Sequence, residues 1–118
     1  MVKEENIILS KTYDFALEII KVYKELAFKQ IEYDIGRQLL RCGTSIGSNA
    51  EEAAGAQSRK DFIAKFSIAY KESRETRYWL RLLKDSDIME VERATSLIND
   101  CEEIQRIIAS ILKTSTVA

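Results

Sequence analysis

Residues 35–57 read IGRQLLRCGTSIGSNAEEAAGAQ, and this stretch decides the fold. Ile35, Leu39, Cys42, Ile46, Ala50, Ala53 and Gln57 recur at alternating spacings of three and four, which places them on one helical face. Beside that face runs a stripe of small residues, Gly43, Gly47, Ala50 and Ala54. A glycine inside a helix costs about 1 kcal/mol against alanine. Two of them therefore predict a compensating neighbour, a second helix whose backbone comes in close.

Working outward, the rest of the chain reads as three more helices. The first is predicted from Ser10, a candidate N-cap, to about Lys29, with Phe15, Ile19, Val22 and Leu26 as its inner seam. Ala16, Ile20, Tyr23 and Ala27 lie alongside, a stripe wide enough for the inside of a bundle. A polar link from Gln30 to Tyr33 leads into the second helix, at about residues 34–56. Ser58 with Asp61 resembles a capping box and opens a third helix at about residues 59–85. Phe62, Phe66, Ala69, Ser73, Thr76, Leu80 and Leu83 form its seam. Asp87 with Glu90 suggests another cap, and a fourth helix follows at about residues 88–113. Its apolar side is Val91, Ala94, Ile98, Cys101, Ile104, Ile108, Ile111 and Leu112, and the tail TSTVA reads as frayed.

Composition agrees. The 118 residues contain no proline, four glycines and 31% charged side chains, an all-α profile for a single domain spanning residues 1–118. Helices of this length, about 30–40 Å at 1.5 Å per residue, joined by short links must run antiparallel. The expected fold is an all-α, antiparallel up-down-up-down four-helix bundle.

Several function classes lose their footing here. The chain has no histidine, so the commonest general base and neutral metal ligand are missing. There is no Gly-rich phosphate loop, no CxxC and no nucleophile beside a base. Glu72 and Glu75, three apart, could converge, but di-iron bundles also need Glu-x-x-His pairs. We therefore expect no enzyme, no cofactor, no metal and no small-molecule substrate. No apolar run approaches the ~20 residues that cross a bilayer, and the N-terminus lacks a secretory signal, so no membrane partner is expected. Cys42 and Cys101 read as reduced core thiols of a cytoplasmic protein, with a disulfide as the alternative.

The third helix carries the most unusual surface. With Leu80 at the centre of the buried face, Ile68, Trp79 and Leu82 fall about 100–160° to one side, away from the core. Either the helix is broadly buried between its neighbours, or these residues form an apolar facet for another subunit, joined by Tyr78. On the opposite flank Arg74, Arg77, Arg81 and Lys84 line up as a basic stripe. Residues 58–86 hold eight basic and four acidic side chains in a chain of net charge −1. The stripe reads as charge pairing with acidic neighbours, as a candidate nucleic-acid contact, or as a solvated face. Asn49, Ser73 and Thr76 lie on or near inner faces and suggest a polar core network that fixes helix register.

Taken together, QLLRCGTSIGSNAEEAAGAQSRKDFIAKFSIA, KESRETRYWLRLLKDSDI and the fourth helix resemble the four-helix-bundle protein family. That family is also called the 23S ribosomal RNA intervening-sequence protein family, because some members are encoded within insertions in that RNA's gene. Its T-S-I-x-x-N-x-x-E core corresponds to Thr44, Ser45, Ile46, Asn49 and Glu52, and Arg74 to Leu83 match RETRYWLRLL. The resemblance covers nearly the whole chain and is strongest from Gln38 to Ile88. It implies ring-like homopentamers without an established activity, hence a scaffold or adaptor role. Related bundles in diversity-generating retroelements are accessory proteins that bind a reverse transcriptase and nucleic acid, so an RNA or protein partner is the alternative. Those relatives are strongly basic, and the charge of −1 sets this chain apart from them.

Overall fold

In a computed structural model that describes residues 3–29 and 33–117, the chain forms four α-helices. They are α1 (Lys3–Phe28), α2 (Tyr33–Ala54), α3 (Arg59–Asp85) and α4 (Val91–Val117). Among the described residues α1 touches α2, α2 touches α3, α3 touches α4, and α4 closes the circuit on α1, the most open of the four contacts. The molecule measures 47 × 21 × 19 Å. No described helix is long and apolar enough to cross a membrane.

The seams expected from spacing face one another in a single apolar cluster. Phe15, Ile19, Val22 and Leu26 of α1 meet Leu39, Ile46, Ala50 and Ala53 of α2, while Phe66, Ala69, Leu80 and Leu83 of α3 meet Ala94, Ile104, Ile108 and Ile111 of α4. Phe62 and Ile35 are half-buried at its edge, whereas Gln57 and Val91 are exposed beyond it. The glycines of α2 explain why α1 lies so near. A methyl group on Gly43 would stand 2.9 Å from both γ carbons of Ile19, and one on Gly47 would stand 3.4 Å from the Thr12 carbonyl oxygen. Gly36, by contrast, faces Leu26 and Tyr23 with ordinary room. The neighbour that compensates the glycines is α1.

Three helix ends differ from expectation. Ser10 does not cap α1; the helix starts at Lys3, with Glu4 and Glu5 in its first turn. The seam extends backward through Thr12 and Ile8, both fully buried, and burying Ile8 outweighs the local capping preference of a serine. Asp87 does not start α4 but stops α3. It takes the left-handed conformation (φ 62°), with its N–H donated to the Lys84 carbonyl and the Ile88 N–H to the Leu83 carbonyl. That is a Schellman closure, with aspartate in the place glycine usually takes. The first bond of α4 runs from Ala94 N–H to the Glu90 carbonyl, so the helix begins at Val91.

Nor does α4 end near Lys113. Arg59 Nε donates to the Ser115 carbonyl at 2.7 Å, and Ser115 and Thr116 hydroxyls bond back to Ile111 and Leu112. An arginine from α3 thus holds a last turn that would otherwise fray. At the start of α3, Ser58 is extended and its Oγ accepts the Asp61 N–H at 3.0 Å, as the capping pattern predicts. The link expected at Gln30 to Tyr33 lies outside the described residues, apart from Tyr33, where α2 begins.

Candidate protein-interaction surface

The outer side of α3 is built by a helix that runs out of neighbours. Its inner third is sealed by Leu80, Thr76, Ser73 and Phe66, all buried. Among the described residues, nothing fully covers the apolar side chains about 100–160° away from Leu80. Ile68 is 42% exposed, Leu82 38% and Tyr78 51%. Trp79 takes a middle position, half-buried against the core cluster and edge-on to Tyr78, with ring centroids 5.4 Å apart. Its indole N–H donates to Glu75 Oε2 at 3.0 Å. The polar end of the tryptophan is thereby satisfied, and what it still presents outward is apolar.

An unforeseen residue pins this facet. Arg41 of α2 reaches across to α3, where Nη1 bonds Glu72 Oε2 at 3.1 Å and Nη2 bonds Glu75 Oε2. Glu72 and Glu75 do converge, as their spacing allowed, but on a guanidinium. Among the described residues no group of three or more His, Cys, Asp or Glu is placed to hold a metal ion. The Trp79 hydrogen bond and then the Arg41 pairing hold the Glu75 carboxyl below the ordinary glutamate range, against partial burial, which works the other way.

This linkage has a pH signature. A depressed folded-state pKa contributes stability that is present above the unfolded value and lost as pH falls through the folded value. The only tryptophan of the chain donates to the same carboxylate, so its emission should change as Glu75 protonates, with a midpoint below the ordinary glutamate range. In Arg41→Ala the midpoint should move up toward the ordinary glutamate value. An acid fluorescence titration with the same midpoint in both proteins would contradict the linkage.

The basic stripe divides in two. Arg77 Nε bonds Glu102 Oε2 of α4 at 2.7 Å, so part of it is paired as neighbouring-helix complementarity predicts. Among the described residues Arg74 and Arg81 have no ion-pair partner; both are exposed, and Lys84 is half-buried. Arg74, Arg77, Tyr78 and Arg81 line a groove with Glu102 and Gln105, so the stripe and the apolar facet meet at Tyr78.

The side chains expected to form a polar core network bond mainly to their own helices. Ser73 Oγ donates to the Tyr70 carbonyl at 2.6 Å, and Thr76 Oγ1 to the Glu72 carbonyl at 2.8 Å. Asn49, half-buried, donates from Nδ2 to the Ser45 carbonyl and hydroxyl. Each closes on its own helix, because a short side chain in a helix finds the carbonyl one turn back before it finds a neighbour. The cross-helix polar contacts in this layer come from the thiols: Cys101 donates to the Ser73 carbonyl at 3.2 Å, and Cys42 shares a side-chain hydrogen bond with Thr76. Cys42 and Cys101 are free and buried, and burial pushes their thiols up to about 11 and about 12, so neither is activated.

The outer face of α1 also carries apolar side chains. Tyr13, Leu17 and Phe28 are exposed. Tyr13 and Leu17 stand one turn apart off the buried seam, a signal that was there to be read.

No curated protein is significantly similar to the chain. A crystal structure at 1.70 Å of a protein of unknown function from the S23 ribosomal protein family of Bacteroides thetaiotaomicron superposes with a TM-score of 0.90. It is 44% identical, and the match covers 93% of this chain and 98% of that one. The family model described as 23S rRNA-intervening sequence protein matches residues 4–110. On that match and that structure, in which both the four helices and the sequence agree, the chain belongs to the 23S rRNA-intervening sequence protein family.

Proposed function

We propose that this protein is a non-enzymatic scaffold or adaptor that works as a ring-like homo-oligomer in the cytoplasm, pentameric by family resemblance. Its four helices would run up-down-up-down. In support of that topology, Gly36, Gly43 and Gly47 of α2 face Leu26, Ile19 and Thr12 of α1 in descending order. Arg41 and Glu52 likewise pair with Glu72 and Lys65, and Lys11 and Glu25 with Glu103 and Arg93. Two free buried thiols suit a reducing compartment.

The observation that carries the oligomer is the facet of Ile68, Tyr78, Trp79 and Leu82. Full burial of such a side chain contributes about 1.5–3 kcal/mol. Completing the burial of three half-exposed ones contributes about 1 kcal/mol each, more than an exposed ion pair supplies. Solution mass at micromolar concentration tests this. A multiple of 13.5 kDa is expected for the native chain and 13.5 kDa for Ile68→Glu/Leu82→Glu, with helix content unchanged. A native chain that is monomeric sinks the proposal.

A second reading, a nucleic-acid accessory protein using Arg74, Arg77, Arg81 and Lys84, draws support from Arg74 and Arg81, which have no ion-pair partner among the described residues. It predicts a gel shift of structured RNA that weakens steeply between low and moderate salt. The net charge of −1 weighs against it.

A further inference from the structure

A ring requires two different faces on each copy, one that docks and one that receives. The outer side of α3, where the apolar facet meets the basic stripe at Tyr78, supplies the first; nothing so far supplies the second. Among the grooves beside α4, two carry opposite charge. On the α3 side Arg74, Arg77 and Arg81 stand against one carboxylate, Glu102, in a groove of about 340 Å³. Gln105 also lines this groove, and among the described residues its Nε2, itself buried, has no hydrogen-bond partner.

On the α1 side the opposite holds. Asp14, Glu18, Asp100 and Glu103 stand against one ammonium, Lys11, in a groove of about 180 Å³. Lys11 is taken by Glu103 and Lys21 by Glu18, while among the described residues Asp14 and Asp100 have no ion-pair partner. Burial first, and then the neighbouring Glu103 and Glu18, hold the Asp100 carboxyl above its ordinary value despite Lys11. The acidic groove is thus short of cations, as the basic one is short of acceptors. Each has an exposed apolar side chain near it: Tyr78 lines the basic groove, and Leu17 precedes Glu18 on α1.

We propose that the receiving face is this α1–α4 groove: Arg74 and Arg81 of one copy pair with Asp14 and Asp100 of the next, while Tyr78 packs beside Leu17. The occupant is a second copy of this chain, chosen by charge complementarity, and the inference rests on the oligomer proposed above. The pairs contribute chiefly register and selectivity, because exposed ion pairs contribute little, whereas opposed like charges are strongly repulsive. Since the two grooves are different surfaces, the contact is head-to-tail and propagates around a ring.

Charge reversal tests it. Arg74→Glu/Arg81→Glu and Asp14→Arg/Asp100→Arg should each raise the concentration needed for assembly more than tenfold, and the fourfold variant carrying both should restore assembly. All four side chains are exposed, so helix content by circular dichroism should stay at the native level. Should either reversal misfold, the neutral pairs Arg74→Gln/Arg81→Gln and Asp14→Asn/Asp100→Asn give the same comparison, each expected to weaken assembly severalfold. A native oligomer that either reversal leaves intact overturns this docking mode and spares the oligomer itself, as does a folded fourfold variant that stays monomeric. A native monomer overturns both. Loss of RNA binding in Arg74→Glu/Arg81→Glu at unchanged mass would assign the arginines to nucleic acid and overturn the pairing.

Discussion

Gly43→Leu is expected to remove most of the stability of this fold. The β carbon alone would stand 2.9 Å from two carbons of Ile19, a side chain with no exposure and, being β-branched, little rotamer freedom. Overpacking of a tight core typically costs about 1–3 kcal/mol, and leucine adds three further carbons, so a loss of about 3 kcal/mol or more is expected. Domains of this size have about 5–15 kcal/mol in total. Alanine at the same position should lose about 1 kcal/mol, since the clash outweighs the gain in helix propensity. Gly36→Ala should go the other way and gain up to about 1 kcal/mol, because its new methyl would meet Leu26 and Tyr23 at 3.7 Å, ordinary contact. Urea unfolding of the three variants gives the order directly. Adding Ile19→Ala to Gly43→Leu should cost less than the two changes summed, since it empties the space the leucine needs. Native stability in Gly43→Leu would mean that α1 and α2 are not held this close.

Phe66→Ala should destabilise by about 3–5 kcal/mol. Phe66 is fully buried on α3 and meets the Phe62 ring edge-on, with centroids 5.0 Å apart and planes at 70°. Its removal opens a cavity in the single core and dissolves an aromatic pair worth about 0.5–1.5 kcal/mol. The melting temperature should fall by on the order of 10–20 °C. Phe28→Ala is the control: the side chain is 89% exposed, and a change within about 0.5 kcal/mol is expected. Equal effects at the two phenylalanines would place the core elsewhere.

How far the fold was legible can be argued from particular residues. Phe15, Ile19, Val22 and Leu26 on α1, and Phe66, Ala69, Leu80 and Leu83 on α3, are buried where spacing places them. The Ser58 cap formed because its signal is local: an oxygen meeting an N–H three residues on. The helix ends that differed were those where a local signal competed with a distant one. Ser10 looked like a start until Ile8 was needed in the core, and the tail looked loose until Arg59 held Ser115. Asp87 could be read as either a start or a stop, and its left-handed backbone decided for the stop.

The candidate surface divides along the same line. Ile68, Tyr78 and Leu82 were legible as outward-facing because angular position on a helix follows from residue number alone. Arg41 was not, because its role depends on which carboxylates α3 brings opposite, and Asp14 was not, because its groove exists only where α4 meets α1. The residues by themselves determined that four amphipathic helices form, which face of each turns inward, and that α2 admits a close neighbour at Gly43 and Gly47. Periodicity and side-chain size are properties of a single segment, and they suffice for that. Only the tertiary structure decided where α1 begins, which charges are cancelled and which are left over, since pairing depends on distances between segments far apart in the chain.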